Sequence, residues 1–154
     1  MSDKVRNSLF NALGDVTGLE VLDVFAGSGA LAIEAISRGA NSAVTIDADK
    51  YANDTIKKNI KDLGLTDKIK PIKAFFATWS NNNRDVLFDL IVADPPYHDL
   101  QMRQLSRLPR HLKINGSLVM SFPRKEEYLD LKELQLLQVK KYGDAQLVFY
   151  RKVS

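Results

Sequence analysis

The stretch that most constrains this chain runs from Glu20 to Arg38 and reads EVLDVFAGSGALAIEAISR. An apolar run that contains Asp23 precedes two glycines, Gly27 and Gly29, and a helix-forming segment follows. This order predicts a strand, a tight loop and a helix, because glycine lets the backbone turn sharply and lets a ligand approach closely. The free N–H groups and the positive dipole end of the helix would face that ligand. The stretch therefore predicts a cofactor site.

Two classes of cofactor fit this loop. Gly27, Gly29 and Ala32 match the spacing G-x-G-x-x-G/A of dinucleotide sites, and Asp47 follows at a suitable distance. Asp23, however, lies near the end of the predicted strand that faces the ligand. A carboxylate there repels a pyrophosphate but attracts the ammonium and sulfonium groups of S-adenosylmethionine (AdoMet). The pattern D-x-F-A-G-S-G-A-L thus favours AdoMet and resembles the first motif of class I methyltransferases. If the glycines served only close packing, Asp23 would have no stated partner.

Composition limits the other function classes. The chain has 154 residues, 45% of them hydrophobic and 27% charged, which predicts one folded domain over residues 1–154. It has no cysteine and two histidines, which argues against disulfides, a cysteine nucleophile and a metal site. The net charge of +3 is compatible with a polyanionic partner. No apolar run resembles a signal core or a membrane span, so we expect a cytoplasmic protein, and we expect a monomer.

Strand and helix patterns alternate along the chain and predict a mostly parallel α/β sheet with helices on both faces. The predicted strands cover residues 20–25, 42–46, 68–74, 88–93 and 117–122, and an antiparallel hairpin of 134–141 and 145–153 closes the chain. The predicted helices cover residues 2–13, 28–38, 50–63 and 100–112, with a short helix at 126–131. Pro109 should interrupt the fourth helix. Residues 75–83 are ambiguous, and their three asparagines favour a polar loop tip.

The loops after the first four strands open at one edge of such a sheet, where ligands bind. Asp47 ends the second strand, and its carboxylate can accept hydrogen bonds from both ribose hydroxyls of an adenosine. Phe75 and Phe76 follow the third strand and either flank an adenine ring or belong to the core. The candidate cofactor-binding residues are Asp23, Phe25, Ala26, Gly27, Ser28, Gly29, Asp47, Ala48, Phe75 and Phe76.

A second motif, Asp94-Pro95-Pro96-Tyr97, directly follows the fourth strand. Its two prolines make the loop stiff and keep it out of sheet pairing. The Asp94 carboxylate and the Pro95 carbonyl can accept the two N–H bonds of an exocyclic amine, while the ring that carries the amine stacks on Tyr97. These four residues are the candidate catalytic residues. The alternative is a rigid turn with a helix-capping acid.

This second motif resembles the fourth motif of enzymes that methylate adenine N6, cytosine N4 or guanine N2. Over nearly all of residues 2–152, the chain resembles the RsmD family of 16S rRNA guanine-N2 methyltransferases. The matching stretches are SDKVRNSLFNAL, VLDVFAGSGALAIEAISRGA, the strand that ends at Asp47, VADPPY and YGDAQLVFYRK. The resemblance implies a seven-strand class I methyltransferase (Rossmann-like) fold, AdoMet as methyl donor and a guanine in small-subunit rRNA as target. It implies that Asp23, Gly27 and Gly29 line the AdoMet loop, that Asp47 holds the ribose and that residues 94–97 hold the guanine.

The chain departs from the family pattern in three places. Family members usually carry a basic, strand-rich segment before the first helix, and this chain begins at that helix. Asn7 stands where glutamate is usual, and Lys73 and Ala74 occupy the region of a carboxylate that meets the adenine amine. We therefore expect weak, salt-sensitive binding to rRNA or to its assembling particle. The candidate RNA-binding residues are Arg6, Arg103, Arg107, Arg124 and Lys125, and Lys4 and Arg110 are further basic candidates.

Other functions fit parts of the sequence. Within the same chemistry, the target could be adenine N6, cytosine N4 or a protein amide. The chain could instead be a catalytically silent subunit that binds AdoMet or RNA. A nicotinamide oxidoreductase would account for the glycine spacing but not for Asp23.

Overall fold

A seven-stranded sheet organises the chain. The computed structural model describes residues 1–96 and 102–154, with the backbone alone at Met102. The strands are β1 (Glu20–Val24), β2 (Ser42–Asp47), β3 (Ile69–Lys73), β4 (Phe88–Ala93), β5 (Leu112–Pro123), β6 (Leu134–Tyr142) and β7 (Ala145–Lys152). Their order across the sheet is β3-β2-β1-β4-β5-β7-β6. Neighbouring strands are parallel except for β7, which runs antiparallel to β5 and β6. The predicted fold class is confirmed.

Some of the helices begin at a residue whose side chain caps the first turn. They are α1 (Asp3–Leu13), α2 (Ala30–Ser37), α3 (Lys50–Asp62), α4 (Phe76–Asn82), α5 (Met102–Leu105) and a 3-10 helix (Leu108–His111). Ser2 Oγ accepts the N–H of Val5 at 3.2 Å, and Asp49 Oδ2 accepts the N–H of Ala52 at 2.9 Å. Within the described ranges, no helix has both the length and the apolar character needed to cross a membrane.

The helices cover both faces of the sheet, because the central strands are buried on both sides. In β4, Leu90 and Val92 pack with α1, α2 and α3, whereas Ile91 and Ala93 face the core that holds α4 and α5. In β1, side chains alternate in the same way, so Asp23 lies on the face of Val21, toward α2. Strands β2 and β3 lie on one side of β1, whereas β4 and the later strands lie on its other side. The chain therefore changes direction across the sheet between β1 and β4, which leaves a crevice at the carboxyl ends of these two strands.

Within the ambiguous stretch 75–83, residues Phe76–Asn82 form helix α4 and not the polar loop tip that the asparagines favoured. Phe76, Trp79 and Ser80 lie on the buried side of α4, while Asn81 and Asn82 face solvent. Asn83 Nδ2 donates to the Trp79 carbonyl at 2.9 Å and so satisfies one free acceptor at the helix end. Burial of the two aromatic rings at helical spacing outweighs the weak preference of asparagine for loops.

The predicted helix at 100–112 is wrong in its second half. The part of it that the structure describes consists of α5, which ends at Leu105, and a 3-10 helix with Pro109 in its first turn. The chain then enters β5 at Leu112, five residues before the predicted start of that strand at Ser117. Proline at this position interrupts the α-helical hydrogen bonds, as expected. Arg103 and Arg107 therefore do not share one helical face.

The predicted helix at 126–131 is absent, and this segment is irregular. The carbonyl of Glu126 accepts a hydrogen bond from Gln146 Nε2 at 2.7 Å, and the carbonyl of Leu129 accepts one from the Tyr150 hydroxyl at 2.7 Å. These side chains of β7 satisfy the carbonyls that a helix would have used internally. The predicted hairpin is confirmed, with Gly143 and Asp144 as its turn between β6 and β7.

Candidate active site

The loop that joins β1 to α2 contains three residues with positive φ. The φ angles are +61° at Phe25, +56° at Gly27 and +81° at Gly29, which caps α2. The N–H groups of Phe25 and Ala26 both donate to the Ile46 carbonyl, at 2.9 and 3.2 Å. A Cβ on Gly27 would meet no atom within 4 Å, whereas one on Gly29 would lie 3.2 Å from Ile56. Gly27 therefore leaves open space above the loop, and Gly29 allows the loop to pack on α3.

Asp23 lies under this loop and does not line the adjoining cleft. Its side chain is fully buried, and Oδ2 accepts the N–H of Ala32 in the first turn of α2 at 3.1 Å. Its Oδ1 is buried without a hydrogen-bond partner among the described residues. Burial raises the pKa of Asp23 to about 8, and the negative charges of Asp94 and Asp47 add to that shift, while the Ala32 hydrogen bond opposes it. Such a site favours the neutral acid unless a cation is close.

Asp47 connects the loops that follow β1 and β2. Its Oδ2 accepts the N–H of Gly27 at 2.9 Å, and its Oδ1 accepts the N–H of Asp49 at 2.9 Å. Both oxygens are therefore held in place, and each keeps a further lone pair for a ligand. This contact across the two loops is not visible in the sequence, because Gly27 and Asp47 are twenty residues apart.

A cleft of about 400 Å³ opens beside Asp47 at the carboxyl ends of the strands. It is lined by Val24, Phe25, Ile46, Asp47, Ala48, Asp49, Ala74, Phe75, Phe76, Asp94, Pro96 and Gln104. Phe75 is 62% exposed, while Phe76 is 2% exposed and its ring packs against Trp79 and His111. Phe75 is therefore free to flank a ligand at the cleft, whereas Phe76 belongs to the core. The size of the cleft and its mixed apolar and acidic walls suit a small ligand with cationic groups.

Gln104 of α5 is a cleft residue that sequence reasoning missed. It is 7% exposed, and its Oε1 accepts the N–H of Ala77 in the first turn of α4 at 3.1 Å. No local pattern in the sequence marks Gln104, because the sequence around α5 does not indicate which of its side chains reaches the cleft.

Asp94 and Pro95 follow β4 at the crevice, as the second motif predicts. The Asp94 side chain borders the 400 Å³ cleft, a second cleft of about 610 Å³ and a small cavity of about 140 Å³. The small cavity also contacts Ala26, Gly27, Ser28 and Arg6. Asp94 Oδ2 lies 3.4 Å from the amino group of Met1, which places the start of α1 at this site. Pro96 is exposed, and Tyr97, the last residue of the motif, lies outside the described residues.

Several basic residues proposed for RNA binding have partners within the protein. Arg6 forms ion pairs with Asp3 at 3.0 Å and with Glu34 at 3.3 Å. Arg110 Nη1 donates to Ser80 Oγ at 3.3 Å, and Arg124 Nη1 donates to the Gly143 carbonyl at 3.3 Å. Lys4, Arg103 and Lys125 are exposed, and Arg107 is partly exposed. Across residues 1–96 and 102–154, no cluster of histidine and acidic side chains could hold a metal ion.

The chain is similar in sequence and in fold to known proteins. The family model "Conserved hypothetical protein 95" matches residues 1–151. The chain is 30% identical to the ribosomal RNA small subunit methyltransferase D of Buchnera aphidicola, over 97% of this chain and 80% of that protein. It is 31% identical to the Haemophilus influenzae protein of the same name, over 97% of this chain and 79% of that one. A conserved hypothetical protein from Streptococcus pyogenes superposes with a TM-score of 0.84 at 29% identity, covering 96% of this chain and 94% of the other.

Proposed function

The chain belongs to the RsmD family, and from this membership we propose that it transfers a methyl group from AdoMet to the exocyclic N2 amine of a guanine in small-subunit (16S) rRNA. The observation that carries the proposal is the position of Asp94, whose side chain borders both the 400 Å³ cleft and the 610 Å³ cleft. A residue that aligns a methyl donor with an acceptor must stand where their two binding spaces meet.

The first cleft and its surroundings fit AdoMet in shape and charge. Asp47 is held so that its free lone pairs can accept hydrogen bonds from the ribose hydroxyls. The exposed Phe75 ring offers a flat face to the adenine. Asp23 lies buried under the loop with one oxygen unpartnered among the described residues, and the negative charge of its carboxylate would attract the ammonium group of the methionine part. Gly27 leaves room for the ligand to approach the backbone.

The remaining task is to orient a weak nucleophile. The lone pair of the guanine amine is delocalised into the ring, and Asp94 and the Pro95 carbonyl would accept its two N–H bonds and turn it toward the methyl donor. When bound, AdoMet supplies a methyl group on a sulfonium sulfur, so that a C–N bond forms, the S–C bond breaks to leave a neutral thioether and one proton is released. Asp94 would accept that proton. Alignment contributes up to ~7–11 kcal/mol in good cases, whereas a positioned base adds about 10²–10⁴-fold, so positioning dominates.

The rRNA substrate would reach this edge of the sheet by its phosphates. Arg103, Lys125 and Lys4 are among the exposed cations that favour this approach. Removing one phosphate contact should flatten the log–log salt dependence of binding by roughly 0.7–0.9. The protein would act as a cytoplasmic monomer on rRNA or on the assembling particle.

The direct test is transfer of a tritiated methyl group from AdoMet to small-subunit rRNA particles, naked rRNA and bulk protein in parallel. The proposal expects label in rRNA, recovered as N2-methylguanine after digestion. Asp94→Ala should abolish transfer while leaving AdoMet affinity within a few-fold, because Asp94 acts on the target base.

Each other outcome points to a different function. Label in protein, or in rRNA at adenine or cytosine, would overturn the guanine-N2 assignment but would still indicate a methyltransferase. Tight AdoMet binding without label in any fraction would indicate a silent binding subunit. A melting shift with NAD but not with AdoMet would overturn the cofactor assignment.

A further inference from the structure

The 610 Å³ cleft lies on the side of Asp94 away from the cofactor cleft, and its far wall has no role in the mechanism above. The near wall consists of Asp94, Pro95 and Pro96, and the start of α1 borders the opening. The far wall is the turn between β6 and β7, where Tyr142 and Asp144 contribute. A target base that enters this cleft would therefore lie between the second motif and this turn.

The turn is held in place by contacts from the segment after β5. Arg124 donates its backbone N–H to the Asp144 carbonyl at 2.7 Å and its Nη1 to the Gly143 carbonyl at 3.3 Å. Gln146 Nε2 donates to the carbonyls of Pro123 at 3.0 Å and Glu126 at 2.7 Å, which fastens the same segment to β7. A turn whose backbone is fixed in this way can select among ligands, because the turn itself does not need to be ordered on binding.

The Asp144 carboxylate is available to a ligand. It is exposed, and it forms no hydrogen bond or ion pair with any residue that the structure describes. The contact from Arg124 uses the backbone of Asp144 and leaves both carboxylate oxygens as acceptors. Tyr142, at the end of β6, adds an aromatic side chain to the same wall.

We propose that the turn of Tyr142 and Asp144 is the far wall of the target-base pocket and that Asp144 selects guanine by accepting its N1–H. This inference rests on the proposed function. Guanine carries a donor at N1, whereas adenine N1 and cytosine N3 carry a lone pair that a carboxylate repels. Asp94 reads the exocyclic amine that all three bases share, so Asp94 alone does not distinguish them. Tyr142 supplies a stacking face that takes the place of the neighbouring bases when the target base leaves its stack.

The test uses 2-aminopurine, which keeps the 2-amine of guanine but has an acceptor in place of the N1 donor. Small-subunit rRNA is prepared by splinted ligation with guanine or 2-aminopurine at the nucleotide that the wild-type protein methylates. Wild-type protein should prefer guanine by at least about 100-fold in kcat/KM, because a site built for a donor leaves its acceptor unpaired with the analogue. Asp144→Asn should reduce this preference at least about tenfold, because its amide can donate to N1 of 2-aminopurine.

Two controls separate selection from folding. Asp62→Asn, at the exposed end of α3, should keep the wild-type preference. Asp144→Asn should keep the wild-type AdoMet affinity, since the hydrogen bond from Arg124 uses the backbone of residue 144.

Tyr142→Ala should raise KM for both substrates, and Tyr142→Phe should restore the wild-type KM.

The outcomes are distinguishable from those of the proposed function. If wild-type protein methylates guanine and Asp144→Asn retains the full preference over 2-aminopurine, Asp144 does not select the base and the inference is wrong. An Asp144→Ala variant with the full preference would lead to the same conclusion without relying on a new hydrogen bond. If wild-type protein labels no guanine at all, the proposed function fails, and this inference fails with it.

Discussion

The backbone N–H of Gly27 donates to Asp47 Oδ2 over 2.9 Å, which joins the loop after β1 to the end of β2. The same carboxylate accepts the N–H of Asp49 through its other oxygen. One side chain thus shapes the glycine loop and presents acceptors to the cleft. The structure of the loop and the affinity for AdoMet should therefore depend on the same residue.

Asp47→Ala should weaken AdoMet binding at least about tenfold, because hydrogen bonds to a charged acceptor contribute about 1.5–3 kcal/mol. It should also lower the melting temperature without ligand, since the Gly27 N–H loses its partner. Isothermal titration calorimetry and thermal unfolding measure the two effects. Asp54→Asn, on the exposed side of α3, is the matched control. An unchanged affinity for Asp47→Ala would contradict the ribose assignment.

Asp23 should make stability depend on pH. Its pKa is raised from 3.8 to about 8 by burial, so the folded state binds the proton more tightly than the unfolded state. The contribution of protonated Asp23 to the free energy of unfolding is complete below about pH 4. It is lost as the pH rises toward 8, by up to about 1.4 kcal/mol per pH unit. Asp23→Asn keeps an acceptor for the Ala32 N–H and does not titrate. Urea unfolding at several pH values should show that the free energy of unfolding of the variant increases relative to that of the wild type as the pH increases.

The same variant should bind AdoMet more weakly, since an amide does not balance the ammonium charge. A variant that is more stable at pH 8 but binds the cofactor less tightly would support the assignment of Asp23 to the cofactor. Equal affinity in the two proteins would indicate that Asp23 serves the fold alone.

His111 should destabilise the protein in acid. Its Nδ1 lies 2.8 Å from the Val86 carbonyl and its Nε2 lies 2.7 Å from Ser80 Oγ, so the neutral ring can donate to the carbonyl and accept from the hydroxyl. Burial lowers the pKa of His111 below its usual value of 6.5, and the charges of Arg110 and Lys152 act in the same direction. Because the unfolded state then binds more protons, stability decreases as the pH falls below 6.5. A titration by NMR should give a pKa for His111 below 6.5, and a higher value would contradict the buried neutral ring.

Gln146→Leu should destabilise the protein by about 1–3 kcal/mol, because it removes two hydrogen bonds that the buried amide donates, each with a net contribution of about 0.5–1.5 kcal/mol. Gln146 is 3% exposed and donates to the carbonyls of both Pro123 and Glu126. Gln138→Leu, on the exposed strand β6, removes the same amide without this cost and is the control. Urea unfolding measures the difference. Similar values for both variants would show that the contacts of Gln146 add nothing to stability.

Local patterns in the sequence were sufficient for the central strands, the glycine loop, helices α1 to α3 and the closing hairpin. Each of these depends on residues close together in the chain, such as the apolar run of β1, the cap at Ser2 or the turn at Gly143. The proposed class of cofactor also rests on local order, because Asp23, Gly27 and Gly29 fall within a single strand-loop-helix unit.

The tertiary structure decided the features that join distant residues. Segment 126–131 is irregular because Gln146 and Tyr150 of β7 bind its carbonyls. Gln104 reaches the 400 Å³ cleft, and Asp144 reaches the 610 Å³ cleft, through the packing of whole elements. Periodicity reports which side of an element is buried, but it carries no information on which neighbour buries it. The walls of both clefts depend on those neighbours, so the residues that line them are determined by the order of the strands in the sheet.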